Sequence, residues 1–243
     1  MELQLIILIS AILFIAGFVR ATFGFADALI AMPLLALVIE VKLATPIVAV
    51  YSSVIAAYIF FKDNNEILFK ELKWLIIATI AGIPLGVYFL TEAHETLIKV
   101  ILGVVITGFA VFKLTDHFDI SLKSKRSAAV FGFFAGILGG AYNTNGPPII
   151  IYGTLRNWSP TKFRATLQGI FLPVNTFIVI NHGVAGLWTE QFGRLLLYTF
   201  PVMITAFILE NLLHKRIDPQ KYTRIIYFLL LLIGLSMLAF NVF

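Results

Sequence analysis

Apolar segments of about twenty residues recur along the whole chain, and they limit its fold more than any other feature. A helix of about 20 residues is needed to cross the roughly 30 Å hydrocarbon core of a bilayer. Of the 243 residues, 13% are charged and 60% hydrophobic, a balance that a soluble domain could not cover with polar surface. We therefore predict an all-α polytopic membrane protein with the lipid bilayer as its solvent. Six segments qualify as full spans: 44–61, 72–90, 95–113, 162–181, 192–210 and 222–242.

Two further membrane regions are interrupted in their middle. Residues 3–39 are broken by the polar segment 20–27, and residues 127–155 by segment 139–148, whose glycines, prolines and amides end helices. Such backbone is tolerated at membrane depth only inside protein or along a watery cavity. The N-terminal run carries Glu2 and no basic residue before the first break, so we interpret it as a retained helix and not a signal peptide.

The two halves of the chain repeat one pattern. Phe-Ile-Ala-Gly at 14–17 matches Phe-Phe-Ala-Gly at 133–136, and Leu-Ala-Thr at 43–45 matches Arg-Ala-Thr at 164–166. Each half is an interrupted region followed by three full spans, which indicates a duplication. The predicted organisation is a first membrane repeat at 1–113, a cytoplasmic connecting loop at 114–126 and a second membrane repeat at 127–243.

Basic loop residues predict the orientation of the spans. Lysine and arginine are concentrated in four loops, and the turns 91–94 and 182–191 contain neither. The positive-inside rule places the four basic loops in the cytoplasm, so we expect both termini on the non-cytoplasmic side of the plasma (inner) membrane. Lys42, Lys99 and Arg194 lie at the inferred outer edge, against the rule. The basic loops contain Lys62, Lys70 and Lys73; Lys113, Lys123, Lys125 and Arg126; Arg156, Lys162 and Arg164; and Lys215, Arg216, Lys221 and Arg224.

The same charges favour a hairpin at each break. Loops 113–126 and 156–164 are both basic, so the chain between them must leave the cytoplasmic face and return to it. Each repeat is then a broken helical hairpin plus three transmembrane helices, and the two repeats are inverted. A single kinked span at each break would give a parallel repeat and set the charges against the rule. We predict that the hairpins enter from opposite faces and meet near the midplane, where secondary transporters bind their substrates.

A lone arginine in an apolar stretch is the most distinctive residue of the first half. Arg20 lies too far from both ends of the hairpin to reach the interface easily. It could grip an oxyanion bidentately or form an ion pair with Asp27 that fixes the turn, and the two roles are compatible. Asp27 has three interpretations: the partner of Arg20, a helix cap, or, least favoured, a proton-coupling carboxylate. Thr22 completes the candidate substrate-binding residues of this break.

Three consecutive polar residues, Asn143, Thr144 and Asn145, supply uncharged donors in the second break. We expect at least one of them to cap the helix that begins near Pro147. The others would remain for a cavity, because polar residues at membrane depth are costly unless used.

The full spans contribute a few more polar residues. For Ser52 and Ser53 we favour a bond to their own helix backbone or a tight helix crossing, and Ser52 is kept as a substrate-binding candidate. Gln168 and Asn175 lie seven residues apart and so share a helix face. They form either a cavity wall or interhelical hydrogen bonds.

Several patterns that mark other functions are missing from the sequence. There is no cysteine, no histidine–carboxylate spacing typical of a metal site, and no glycine-rich phosphate loop with a lysine. We therefore predict no enzyme, no catalytic residue, no metal and no cofactor. The basic residues lie beside apolar segments, so nucleic acid is not an expected partner. The histidines, which we expect on solvated loops, are His94, His117, His182 and His214.

Glycine-rich stretches at 16–35 and 132–152 occur once per half, and each is followed by Ala-Thr on the next helix, within Phe-Arg-Ala-Thr at 163–166 in the second case. In these residues the sequence resembles the TauE/SafE family, the sulfite and organosulfonate exporters. The resemblance covers essentially the whole chain and implies export of small sulfur oxyanions or sulfonates. It supports an anion-binding role for Arg20 and the amides at 143–145, although segment 20–27 is more polar and less glycine-rich than the family pattern.

The function that these features predict is a secondary transporter of a small anion, an exporter of a sulfonate or sulfite by preference. We expect alternating access, with the substrate between two hairpins that rock against the surrounding helices. The alternatives are an anion channel and a non-transporting membrane scaffold or assembly protein. A proton or sodium ion as coupling ion, and a homodimer, are left open.

Overall fold

The described part of the chain is all-helical. The computed structural model describes residues 3–23, 25–62, 69–115, 122, 124, 126–213 and 219–242, and within these ranges it contains ten α-helices and no strand. The helices are α1 (Leu3–Phe23), α2 (Asp27–Ala36), α3 (Val41–Lys62), α4 (Phe69–Glu92), α5 (Glu95–Thr115), α6 (Ser127–Tyr142), α7 (Gly146–Leu155), α8 (Pro160–Val184), α9 (Glu190–Leu213) and α10 (Pro219–Val242).

Five of these helices are long and apolar enough to cross a membrane, namely α1, α3, α4, α5 and α8. Four of them coincide with predicted full spans, and α1 is the first part of an interrupted region. The other two predicted spans fall on α9 and α10, which are each 24 residues long. The prediction of an all-α, multi-pass integral membrane protein is confirmed.

The helices group into two compact units. Unit 1 comprises Met1–Val48, Glu92–His117 and Thr189–Phe243, and unit 2 comprises Ala49–Thr91 and Phe118–Trp188. Each unit therefore draws helices from both halves of the sequence. The repeats at 1–113 and 127–243, the connecting loop at 114–126 and the inversion of the repeats stay predictions.

In unit 1, α1 and α2 form a hairpin. The two helices pack against each other, and their outer ends lie close together. Ile6, near the start of α1, and Gln191 line one surface pocket. Residues 36–40, at the end of α2, line a second pocket that also contains Gln191. A single kinked span would have placed these ends at opposite faces. α1 also packs against α9, and α5 packs along α10.

In unit 2, α6 and α7 form the second hairpin. The amide of Leu122, just before α6, donates to the Leu155 carbonyl at the end of α7 at 2.8 Å. Arg156 Nη1 in turn donates to the Leu122 carbonyl at 2.7 Å. The chain thus returns to the level at which it entered.

Glycines bring α4 and α6 into backbone contact in unit 2. They are Gly82 and Gly86 on α4 and Gly132, Gly136 and Gly140 on α6. A Cβ atom added at Gly136 would lie 2.0 Å from the Thr79 carbonyl oxygen and 2.9 Å from Gly82 Cα. In lipid, helices associate through such close packing of small residues.

Both breaks are narrower than predicted. α1 continues to Phe23 and α2 begins at Asp27, so Arg20 and Thr22 are helical and the turn is short, with Ala26 at a left-handed φ of 80°. α6 continues to Tyr142, so the second break contains only residues 143–145. The physical reason is that Gly140, predicted to break α6, instead lies in its contact with α4.

Two basic residues that oppose the positive-inside rule have carboxylate partners one turn earlier on their own helices. Lys99 Nζ lies 2.8 Å from a Glu95 oxygen, and Arg194 pairs with Glu190. Each pair is neutral overall, which reduces its weight in the charge balance across the membrane. The orientation of the chain and the plasma membrane location stay predictions.

Candidate functional site

The turn of the first hairpin contains a buried ion pair. Arg20 is 2% and Asp27 6% exposed, and Arg20 Nη1 lies 2.9 and 2.8 Å from the two Asp27 carboxylate oxygens. Arg20 stands in the last turn of α1 and Asp27 is the first residue of α2, so each charge faces the helix-dipole end that favours it. The ion pair, one of the two roles considered for Arg20, is present, and its net charge is zero. The side chain of Thr22 lies outside the described residues.

Aromatic side chains surround this turn inside unit 1. Phe25 stacks on Tyr227 of α10 with ring centroids 6.5 Å apart, and Tyr227 meets Phe109 of α5 edge-on at 5.9 Å. Phe109 lies four residues beyond the middle of α5, about 6 Å along its axis. The turn therefore lies within the length of a spanning helix and not at its end.

The second break is held by its backbone and is buried. Asn143 adopts a left-handed φ of 55°, which asparagine tolerates better than most residues. Its amide donates to Gly139 at 2.7 Å, and the amide of Thr144 donates to Leu138 at 3.2 Å. Asn143, Thr144 and Asn145 are all buried.

The side chains of the second break bind two neighbouring helices of unit 2. Asn143 Nδ2 donates to Ser52 Oγ of α3 at 2.8 Å. Asn145 Nδ2 donates to Asn175 Oδ1 of α8, also at 2.8 Å. Thr144, which lies between these two asparagines in the sequence, is also buried, and so is Gln168 of α8. Two hydrogen bonds thus join Asn143 to Ser52 and Asn145 to Asn175. We call these four side chains the amide cluster.

The prediction that this segment caps the following helix is wrong. Asn145 stands directly before α7 but makes no side-chain cap. The reason is that Pro147 and Pro148 occupy the first turn of α7 and lack the N–H groups that a cap would accept from. The same prolines leave few backbone N–H groups free at the start of α7.

The two predicted serines differ. Ser53 Oγ donates to the Ala49 carbonyl of its own helix at 2.8 Å, as predicted. Ser52 instead accepts from Asn143, which places it in the cluster. Asn175 makes an interhelical hydrogen bond, one of the two interpretations given for it.

The prediction that His182 lies on a solvated loop is wrong. α8 extends to Val184, and His182 is fully buried with Nε2 2.9 Å from the Gly140 carbonyl oxygen. A carbonyl only accepts, so Nε2 carries the proton. This carbonyl needs a donor because the amide four residues later, that of Thr144, donates to Leu138. His94 is exposed between α4 and α5, as expected, and His117 and His214 lie outside the described residues.

We expect the substitution His182→Phe to destabilise the protein by about 1–3 kcal/mol, because it leaves the buried Gly140 carbonyl without its donor. His182→Gln can keep a donor and should cost less. Thermal unfolding in detergent would measure the stability of both variants. Equal stability of His182→Phe and the unmodified protein would contradict the role of His182 as the donor to the Gly140 carbonyl.

Sequence reasoning also missed Tyr142, the last residue of α6. Its side chain is buried, and its hydroxyl has no hydrogen-bond partner in the part of the chain that the structure describes. The available signal was its position next to Asn143, inside a segment that we predicted to lie at membrane depth. Among the described residues, no group of three or more histidines and carboxylates could hold a metal ion.

Comparison with known families agrees with these features. A family model described as "Sulfite exporter TauE/SafE" matches residues 9–237, a range that includes both hairpins. The chain belongs to the TauE/SafE family. It is therefore a transporter of the sulfite and organosulfonate exporter type and not a member of an enzyme family. Searches of curated proteins and of solved structures returned no significant match.

Proposed function

We propose that this TauE/SafE protein is a secondary transporter that exports a small anion, a sulfonate or sulfite, by alternating access. The observation that carries the proposal is the amide cluster of unit 2, four polar side chains buried among apolar helices. Polar residues at this depth are costly and typically line a substrate path. The family membership supports the substrate class.

The amide cluster suits a ligand that binds by exchange of hydrogen bonds. Asn143 and Asn145 each donate to a side chain on a full-length helix. An entering oxyanion would take over these donors, and the net cost is small because bonds are exchanged and not lost. Thr144 and Gln168 would add a hydroxyl and an amide donor.

Within unit 1, we propose that Arg20 contacts an anion and that Asp27 holds the guanidinium in place. Arginine has five N–H donors in a fixed fork, and Nη1 serves both Asp27 oxygens. Thr22 belongs to the same proposal. The plasma membrane location, the coupling ion and a homodimer stay predictions, and flux under imposed proton or sodium gradients would test the coupling.

We expect Ser52→Ala to lower sulfonate uptake into proteoliposomes roughly two- to tenfold, the value of one hydrogen bond. Ser53→Ala is the matched control, since its hydroxyl bonds only its own helix among the described contacts, and it should transport normally. Equal flux in the two variants would count against the amide cluster as the substrate site. Flux that neither saturates nor exchanges against labelled substrate would favour a channel.

A further inference from the structure

A stripe of buried polar side chains runs along one face of α8. Gln168, Asn175 and His182 are spaced seven residues apart, so they share that face, and all three are buried. Asn175 accepts from Asn145 at 2.8 Å, and His182 Nε2 donates to the Gly140 carbonyl at 2.9 Å. The α6–α7 hairpin and α8 of unit 2 are thus joined at two levels, about 10 Å apart along α8.

The second ring nitrogen of His182 distinguishes it from other donors that could make the bond to Gly140. Nδ1 is buried and has no hydrogen-bond partner among the described residues. A side-chain amide would donate to the same carbonyl but could not take up a proton. Histidine changes its charge between about pH 5 and 8, and titratable residues inside membrane segments typically have a functional role. The use of histidine here therefore makes the bond sensitive to acid.

The surroundings of the ring favour its neutral form while α8 and α6 are in contact. In the part of the chain that the structure describes, α6 and residues 165–184 of α8 contain no Asp, Glu, Lys or Arg. The same is true of residues 74–91 of α4, which packs against α6. The titratable side chains that α6 and this part of α4 carry are Tyr142 and the exposed Tyr88. A second proton on Nδ1 would therefore find no carboxylate in this contact.

The position of His182 in the last turn of α8 gives the ring a short route to water. α8 ends two residues later, at Val184, which is 85% exposed. The half-exposed Trp188 packs against Gly183, where an added Cβ would lie 3.1 Å from the indole ring. The turn 185–189 contains no titratable residue. The C-terminal end of a helix stabilises a positive charge, so the ring can hold a proton once the contact opens to water.

We propose that His182 is a positioning residue for the anion and that protonation of its ring weakens anion binding. The neutral ring holds α8 against the hairpin through Gly140, which keeps Asn175 facing Asn145. When this contact opens, Nδ1 reaches water and binds a proton, and the imidazolium then opposes closure because its second N–H has no acceptor in the contact. The anion and the proton therefore compete. The inference rests on the proposed function, since the amide cluster is taken as the substrate site.

The test is equilibrium binding of labelled propanesulfonate, which keeps its negative charge in acid, to the purified full-length chain. The two conditions are about pH 7.5 and about pH 5, on either side of the pKa of a hydrated imidazole, about 6.5. We expect the unmodified protein to bind about tenfold more weakly in acid, within the limit that linkage to one proton sets. His182→Gln keeps a donor for Gly140 but cannot be protonated, so it should bind equally well at both pH values.

His94→Gln is the matched control, because His94 is exposed between α4 and α5 and its variant should keep the full pH dependence. If His182→Gln does not fold, His182→Asn, which also keeps an amide donor, takes its place. The proposal is overturned if the amide variant loses affinity in acid as the unmodified protein does, or if the unmodified protein binds equally at both pH values. Failure of the proposed function looks different, since the unmodified protein would then bind propanesulfonate at neither pH.

Discussion

Of the substitutions that add a single methyl group to unit 2, Gly136→Ala is expected to destabilise its fold the most. The added Cβ would lie 2.0 Å from the Thr79 carbonyl oxygen, and backbone cannot rotate away as a side chain can. α4 and α6 would have to separate along their whole glycine contact, so we expect a loss of about 3 kcal/mol or more, at or above the upper end for overpacking. Thermal unfolding in detergent would measure the loss.

Gly108→Ala is the control for this prediction. Gly108 lies in α5, and an added Cβ would meet nothing within 4 Å. Alanine favours the helix over glycine by up to about 1 kcal/mol, so this variant should be as stable as the unmodified protein or more so. If Gly136→Ala unfolded at the same temperature as Gly108→Ala, the close α4–α6 contact would be refuted.

The second large effect is expected at the buried ion pair of unit 1. Asp27→Ala leaves the Arg20 guanidinium buried without its carboxylate, and breaking a buried pair in this way costs about 3–5 kcal/mol. The double variant Arg20→Gln with Asp27→Asn restores a neutral hydrogen-bonded pair, so most of the lost stability should return. Unfolding temperatures of the single and double variants would measure this difference.

The double variant also separates the two roles of Arg20. If the guanidinium orients the anion, the double variant should be folded and yet transport at least about tenfold more slowly in proteoliposomes. Normal transport by this variant would restrict Arg20 to fixing the turn. A stable Asp27→Ala variant would show that the pair is not needed for the fold.

The span lengths and the hairpins could be predicted because the bilayer imposes a length on every helix and loop charges report its direction. The residues at which each break begins and ends could not be predicted in this way. From the neighbouring residues alone, Gly140 is expected to end a helix. Its lack of a side chain instead allows the backbone of α4 to approach α6. This is a tertiary effect, and nothing in the neighbouring residues of α6 reveals it.

The candidate site was predictable in its residue types and less so in its pairings. A lone arginine in lipid needs a partner, and Asp27 was the nearest carboxylate. Asn143 and Ser52, however, are 91 positions apart, and periodicity predicts a helix face but not what it contacts. His182 was missed because α8 continues past the predicted end of its span at residue 181, which carries the histidine into the protein interior.

The assembly of unit 1 from distant segments has a consequence for biosynthesis. α1 packs against α9 as well as α2, and α5 packs along α10, so one partner of the first helix leaves the ribosome long after it. At 5–20 residues per second the delay is on the order of ten seconds. During that time the helices that α1 and α5 pack against in unit 1 are absent, and a chain that stops after α8 would leave unit 1 unfinished. The fold of unit 1 is therefore completed only when the two C-terminal helices have been inserted.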